Sequence, residues 1–154
     1  METRKIIATN RRAYHDYSIE ETMEAGMVLL GTEIKSLRAG KVSLAQSYAK
    51  PEKGELWLLN AHIAPYESGN RYNHDPARPR KLLMHHKEIR ELASKVMEKR
   101  FAIVPLRVYL KKGRAKVELG LGKGKRLYDK RESIARREAN RDIERTLKMR
   151  HTKS

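Results

Sequence analysis

The sequence predicts a mainly β protein: a small closed or partly open barrel with two or three peripheral helices, followed by a basic tail that is disordered when alone. Three observations support this class. Short runs of alternating apolar residues recur between turn signals, only one long amphipathic helical pattern is present, and hydrophobic residues become sparse after Leu121. A chain of 154 residues has about the length of one ordinary domain.

The clearest local pattern is a hairpin over residues 106–121. Apolar residues alternate with polar ones on both sides of the turn at Lys112 and Gly113, at Leu106, Val108, Leu110, Ala115, Val117, Leu119 and Leu121. Such alternation predicts two antiparallel strands with one face in the core and a basic face outside.

Three further segments are typical of strands: residues 14–21, residues 26–31, and residues 56–59 continuing towards Ile63. The run at 26–31 is apolar without interruption and lies between two glycines. This pattern predicts a strand that is buried on both faces.

Two helices and one long loop complete the body. Ile89, Leu92, Ala93, Val96 and Met97 share one face of a predicted helix over residues 86–99, and a shorter helix is expected over residues 32–38. Residues 65–81 contain three of the five prolines and predict a long surface loop. Such loops commonly bind a partner or are disordered.

The last 33 residues form a separate region. Only 8 of them are hydrophobic, and 12 Lys and Arg face 5 Asp and Glu, so this tail carries +7 and the body +9. So few apolar side chains cannot offset the entropy of ordering the backbone. We therefore expect a folded body at residues 1–121 and a tail at residues 122–154 that becomes helical only against a partner.

The net charge of +16 favours a polyanionic partner. The chain has no cysteine, which excludes disulfides and thiol chemistry. No apolar run approaches the length of about 20 residues that spans a bilayer, and the N-terminal sequence lacks a signal-peptide core. A cytoplasmic protein without membrane association is expected.

Candidates for catalysis or metal binding are weak. None of the six histidines has metal-ligand spacing, and His74 precedes Asp75 in the proline-rich loop, where the aspartate is first a turn residue. Solvated strand faces are the favoured interpretation of the acidic residues Glu20, Glu21, Glu24 and Glu33. The stretch at residues 120–131 is rich in Gly and Lys but lacks the hydroxyl residue of a phosphate loop, and it is either a flexible exit or a phosphate-contacting hinge.

Three long segments in order carry a specific resemblance: EAGMVLLGTEIKSLRAGK at 24–41, YNHDPARPRKLL at 72–83 and GKGKRLYDKRE at 122–132. With the basic tail, they resemble the SmpB family, the tmRNA-binding partners of bacterial ribosome rescue. The resemblance covers nearly the whole chain. It implies an OB-type barrel without catalytic residues, metal or cofactor, acting as a monomeric adaptor that brings tmRNA to stalled ribosomes lacking a codon.

The resemblance also implies where RNA binds. The body would hold the tRNA-like domain of tmRNA near its D-loop through Asn10, Glu24 and Leu83, with Lys35, Arg38, Arg80 and Lys81 as supporting cations. The tail would enter the empty decoding centre and mRNA channel of the ribosome and become helical there. Its matching residues are Lys123, Gly124, Lys125, Tyr128, Asp129, Lys130, Arg131, Leu147 and Met149.

Two alternatives stay open at this point. One is an RNA-processing enzyme that uses His74, Asp75 and the glutamates. The other is a structural ribosomal protein, which would be present in one copy per ribosome. Cleavage of RNA would indicate the first, and stoichiometric sedimentation with ribosomes would indicate the second.

Overall fold

A computed structural model describes residues 4–66 and 73–125 of the chain. These residues form nine strands and three helices. In chain order they are β1 (Arg4–Thr9), α1 (Arg11–Asp16), β2 (Tyr17–Met27), α2 (Gly31–Arg38), β3 (Val42–Ser43), β4 (Tyr48–Glu52), β5 (Glu55–Leu59), β6 (His62–Ile63), β7 (Arg80–Leu83), α3 (His86–Lys99), β8 (Ala102–Lys111) and β9 (Arg114–Gly124). The mainly β class with two or three helices is confirmed.

The main sheet closes on itself. Its strand order is β1-β8-β4-β5-β7-β2-β9, and β8 also pairs with β9, so six strands form a ring. Strand β1 pairs with residues 107–111 of β8, and β4 pairs with β8 at Ile103. All these pairings are antiparallel. Closure removes most exposed strand edges, which a small protein with few covering helices needs. The apolar interior of the ring is the main core.

The predicted hairpin is confirmed, with one correction. Lys112 and Gly113 form its turn with φ of 53° and 76°, and Lys111 pairs with Arg114. A bulge between Pro105 and Arg107 reverses the alternation. Leu106 therefore packs in a second cluster with Ala13 and Val104 instead of on the face of Val108.

The first two strand predictions need correction. Residues 14–16 belong to α1, because Asn10 accepts a hydrogen bond from the backbone N–H of Ala13 and caps that helix. Residues 26–31 are not a buried strand: β2 ends at Met27, and Val28 and Leu30 are 44% and 48% exposed. Residues 17–21 do lie in β2, and the strand predicted at 56–59 is β5. It does not continue towards Ile63, because β5 ends at Leu59 and Ile63 belongs to β6, which pairs with β3 in a separate two-stranded sheet.

Both helices lie where the apolar spacing predicts them. In α3, Ile89 and Leu92 are buried, whereas Met97 is 83% exposed and lies outside the core. In α2, the buried residues include Glu33 and Leu37. The predicted surface loop at 65–81 is wrong at its end, because residues 80–83 form β7, which is one of the six strands of the ring.

Strand β9 continues three residues beyond the expected end of the body. Tyr17 pairs with Gly124 and Ser18 with Lys123. A Cβ atom on Gly122 would lie 2.1 Å from the backbone oxygen of Ser18, so only glycine allows this close approach. Gly122 is therefore part of the paired strand β9 and does not belong to a flexible segment after it.

Candidate nucleic-acid interface

Glu24 and Leu83, two of the residues expected to bind RNA, lie on one surface of the ring. Two adjoining hollows of about 450 and 490 Å³ share Glu24 and Lys116. We call this the Glu24 surface and define it by Glu24, Leu83 and four cations of the β8–β9 hairpin, Lys111, Lys112, Arg114 and Lys116. This surface therefore places a hydrogen-bond acceptor, an apolar side chain and several cations next to one another.

Glu24 stands on β2 next to β9 and is 36% exposed at its side chain. Its Oε2 accepts a hydrogen bond from the hydroxyl of Tyr109 and lies 3.5 Å from Nζ of Lys111. The Tyr109 hydrogen bond and the nearby Lys111 and Lys116 lower the pKa of Glu24 below its usual value. Glu24 is therefore ionised at neutral pH, and the cations around it favour that ionised form.

Leu83 is exposed because of the alternation along β7. Arg80 and Leu82 point into the ring, whereas Lys81 and Leu83 point outward, and Leu83 is 54% exposed. It pairs with Gly26 of β2, which brings it near Glu24. An exposed leucine beside cations is suited to contact with the face of a base or a sugar.

Asn10 has a different environment from Glu24 and Leu83. It is 7% exposed, and its Nδ2 donates to the backbone oxygens of Leu44 and Pro105 at 3.3 and 2.9 Å. Its Oδ1 caps α1. The side-chain amide thus uses its polar atoms to tie α1 to Leu44 and Pro105.

Three of the four expected supporting cations are accessible. Lys35 and Arg38 lie on the exposed face of α2, where Nζ of Lys35 is 5.4 Å from the centroid of the Tyr66 ring. Lys81 lies on β7, and its Nζ is 3.3 Å from Glu55. Lys81 shares a strand face with Leu83, whereas Lys35 and Arg38 are outside the Glu24 surface as defined.

Arg80 cannot be a supporting cation. It is fully buried, and it donates to Glu33 at 2.6 Å and to the backbone oxygens of Ala61 and Pro76 at 2.7 and 3.0 Å. Its Nη2 also lies 3.4 Å from the backbone oxygen of Asp75, so each guanidinium nitrogen has a partner inside the protein. Burial lowers the pKa of Arg80 against the opposing effect of Glu33.

The carboxylate of Glu33 is likewise buried, not solvated as the sequence predicts. It accepts from Arg80, from Arg78 at 2.5 Å and from the backbone N–H of Leu30 at 2.8 Å. Burial alone would raise the pKa of Glu33, but the hydrogen bonds from Arg78, Leu30 and Arg80 outweigh it and lower the pKa. Glu33 thus joins α2 to the segment before β7.

His74 is also structural. It is 7% exposed, its Nδ1 lies 2.9 Å from the hydroxyl of Thr32, and its Nε2 lies 2.9 Å from the backbone oxygen of Ile63. Asp75 accepts from the backbone N–H of Ala77 at 2.9 Å, as a turn residue does. Among residues 4–66 and 73–125, no group of His, Asp or Glu is arranged to hold a metal ion.

Only the first part of the expected ribosome-binding tail is described. Lys123 and Gly124 belong to β9, and Nζ of Lys123 is 5.6 Å from the centroid of the Phe101 ring. Lys125 is the last described residue. Tyr128, Asp129, Lys130, Arg131, Leu147 and Met149 lie outside the described residues.

Sequence reasoning missed Tyr109 and the hairpin cations as individual site residues. The alternation already placed Lys116 on the outer face of the hairpin, so the cations could have been found. Tyr109 could not have been found from the sequence. It belongs to the site only through its contact with Glu24, which is 85 residues away in sequence.

The ring of strands and the Glu24 surface define a basic β protein with an accessible surface suited to a polyanion. In the part of the chain that the structure describes, no helix is long and apolar enough to cross a membrane. The family model described as SmpB protein matches residues 7–149.

Curated relatives are similar over nearly the whole chain. The SsrA-binding protein of Geobacillus sp. (strain WCH70) is 62% identical over 146 residues, which cover 95% of this chain and 94% of the relative. That of Carboxydothermus hydrogenoformans is 59% identical over 147 residues, covering 96% and 99%. That of Bacillus subtilis (strain 168) is 60% identical over 144 residues, covering 94% and 92%.

A solved structure is similar as well. It is described as "tmRNA-SmpB: a journey to the center of the bacterial ribosome", and it matches with a TM-score of 0.65 and 56% identity over 77% of this chain and 83% of that chain. The chain belongs to the SmpB family.

Proposed function

We propose that this protein is a non-enzymatic RNA-binding adaptor of trans-translation in the cytoplasm. It binds the tRNA-like domain of tmRNA as a monomer and brings it to ribosomes that have stalled without a codon. The observation that carries this proposal is the identity of about 60% to SsrA-binding proteins over nearly the full chain. The solved tmRNA–SmpB structure supports the same two partners.

The body provides the tmRNA-binding surface. Glu24 and Leu83 are exposed side by side among the hairpin cations, and Lys81 extends the same side along β7. Cations that contact phosphates release condensed counterions, while the carboxylate accepts only from N–H or O–H groups. Lys35 and Arg38 are proposed as outlying phosphate contacts, and Asn10 as the residue that fixes α1.

The tail provides recognition of the ribosome. In this proposal the residues after Lys125 enter the empty decoding centre and mRNA channel and become helical there. Tyr128 stacks on ribosomal RNA, Asp129, Lys130 and Arg131 follow it, and Leu147 and Met149 make a short apolar contact near the end. Gly124 is the hinge between the last pairing of β9 and this segment.

A truncation separates the two activities. Residues 1–125 keep all pairings between β2 and β9, whereas a cut at Leu121 would remove those of Gly122, Lys123 and Gly124. We expect the 1–125 protein to bind the tRNA-like domain of tmRNA like the full chain in a gel shift at fixed salt. Peptide tagging of stalled chains in a reconstituted translation system should be abolished.

The point variant Tyr128→Ala in the full chain is the matched test of the tail. It should leave tmRNA binding unchanged and reduce tagging. Loss of tmRNA binding by the 1–125 protein, with its fold intact by circular dichroism, would overturn the division of labour. Normal tagging by that protein would overturn the role of the tail.

Two of the groups named in the enzyme alternative, His74 and Glu33, are buried. Both ring nitrogens of His74 have partners inside the protein, and Glu33 is enclosed by Arg78 and Arg80. Incubation of labelled tmRNA with the pure protein and Mg²⁺ or Mn²⁺ should leave the RNA intact. Cleavage that is lost in His74→Ala would favour the enzyme.

The alternative of a structural ribosomal protein is tested by measuring how many copies of the chain sediment with each ribosome. A rescue factor should sediment with ribosomes well below one copy per ribosome and increase when stalled ribosomes accumulate. Stoichiometric sedimentation under all conditions would favour the ribosomal protein.

A further inference from the structure

Tyr109 is a buried residue whose hydroxyl contacts the Glu24 surface. Its side chain is 1% exposed, on β8, but its hydroxyl reaches the partly exposed carboxylate of Glu24 on β2. The guanidinium of Arg4 covers its ring at 4.7 Å from the centroid. The ring is thus fixed between strands, and the hydroxyl is held towards the Glu24 surface.

The charges around Glu24 come from three strands besides its own. Lys111 on β8 is 3.5 Å away, Lys116 on β9 lines the same surface, and Arg4 on β1 lies against Tyr109. Glu118 on β9 is paired with Glu24 in the ladder, and Arg4 binds it at 3.4 Å. The field at Glu24 therefore favours its ionised form.

The hydrogen bond from Tyr109 and the contact with Lys111 both use Oε2 of Glu24, and Oε1 takes part in neither. An ionised carboxylate accepts hydrogen bonds and donates none. A carboxylate held in one orientation by a buried hydroxyl loses less entropy on binding a donor than one on a free side chain. The arrangement is that of a preorganised acceptor.

We infer that Tyr109 is a positioning residue that holds Glu24 as an acceptor for the N–H donors of an unpaired guanine in the bound RNA. This inference rests on the proposed function. Guanine is the base whose Watson–Crick edge offers two adjacent donors, N1–H and N2–H, which the two lone pairs of Oε1 can accept together. The hairpin cations then contact the flanking phosphates, which carry no base information.

The first test is a double-mutant cycle with the full chain and the tRNA-like domain of tmRNA. Tyr109→Phe keeps the buried ring and removes only the hydroxyl, and we expect it to weaken binding by about 10-fold. In a Glu24→Gln background, Tyr109→Phe should have no further effect, because the ionised acceptor is already absent. Equal losses in both backgrounds would mean that Tyr109 acts only through the fold.

Tyr14→Phe is the matched control. It also removes a hydroxyl bonded to a charged side chain, that of Arg107 at 2.7 Å. It should not change RNA affinity. An equal loss in Tyr14→Phe and Tyr109→Phe would overturn the inference, and wild-type protein that does not bind the RNA at all would instead overturn the proposed function.

A spectroscopic measurement tests the positioning without RNA. The carboxyl carbon of Glu24 can be titrated by NMR in the wild type and both variants. Tyr109 makes the largest contribution to lowering the pKa of Glu24, so Tyr109→Phe should raise that pKa and Tyr14→Phe should not. An unchanged pKa in Tyr109→Phe would contradict the inference.

The base is tested by replacing unpaired guanosines in the loops of the RNA with inosine, which lacks the N2 amino group. One such replacement should weaken binding to the wild type about 5-fold or more and have no effect on Glu24→Gln. If no guanosine position shows this pattern, the assignment of guanine is wrong.

Discussion

Glu33 and Arg80 form an ion pair in which neither side chain is exposed to solvent, with 2.6 Å between the carboxylate and the guanidinium. Arg78 binds the other oxygen of Glu33 from a position that is 32% exposed. The pair joins α2 to β7 and to the segment that precedes it. Two residues that appear in the sequence as surface charges are therefore part of the interior.

Glu33→Gln should destabilise the protein by about 3–5 kcal/mol at pH 7, because it leaves Arg80 as a buried charge without its counter-ion. The pKa of Glu33 is lowered in the folded state, so its stabilising contribution is complete above the unfolded pKa of about 4.3 and is lost as pH falls through the lower folded value. Urea unfolding between pH 3 and 7 measures both effects. The exposed Glu20→Gln is the control and should change little at any pH.

Arg80 and Lys81 are neighbours with opposite orientations, and their substitutions should separate stability from RNA affinity. Arg80→Lys keeps the charge but cannot reach Glu33, Ala61 and Pro76 together, so the melting temperature should fall. Lys81→Gln should weaken RNA binding a few-fold at low salt and leave the melting temperature nearly unchanged. Weaker RNA binding by folded Arg80→Lys protein, with no change in stability, would mean that Arg80 contacts RNA after all.

Gly122→Ala should destabilise the junction of β9 with β2 by about 2 kcal/mol or more, because the added methyl group would collide with the backbone of Ser18. Hydrogen exchange should increase at Ser18 and Lys123. Gly31→Ala is the matched substitution, since no atom lies within 4 Å of the added Cβ there. Equal stability of the two variants would contradict the strand pairing at Gly122.

RNA binding by the body should weaken steeply with salt. The slope of log K against log salt should be about −0.7 to −0.9 for each phosphate contact. Lys116→Gln should make that slope shallower by about one contact, whereas Lys53→Gln in the β4–β5 turn should not change it. A slope that does not depend on Lys116 would exclude this residue from the phosphate contacts.

The features that the sequence predicts well are local. The β8–β9 hairpin and α3 depend on alternation, helical spacing and a two-residue turn, all of which lie within about twenty consecutive residues. The wrong predictions arise from features that the local hydrophobic pattern does not reveal. Leu106 changes face because of a bulge, and bulges leave no clear trace in the hydrophobic pattern.

The candidate site likewise combines features that local patterns predict with features that depend on distant contacts. The outward cation Lys116 follows from alternation, but the burial of Glu33 depends on Arg80, which is 47 residues away in sequence. The accessibility of Leu83 and the burial of Arg80 depend on which way β7 faces, and a loop prediction carries no such information. Contacts between distant segments, not residue types, decide which charges are available to RNA.

The long β2–β9 ladder connects the Glu24 surface with the end of β9. Glu24 pairs near one end of the ladder, and Tyr17 pairs with Gly124, the last residue of β9, at the other. Six residues of extended strand lie between Glu24 and Tyr17, and the seven steps from one to the other span about 23 Å. Because backbone hydrogen bonds hold the two strands together, we expect the distance between the Glu24 surface and the end of β9 to stay nearly constant.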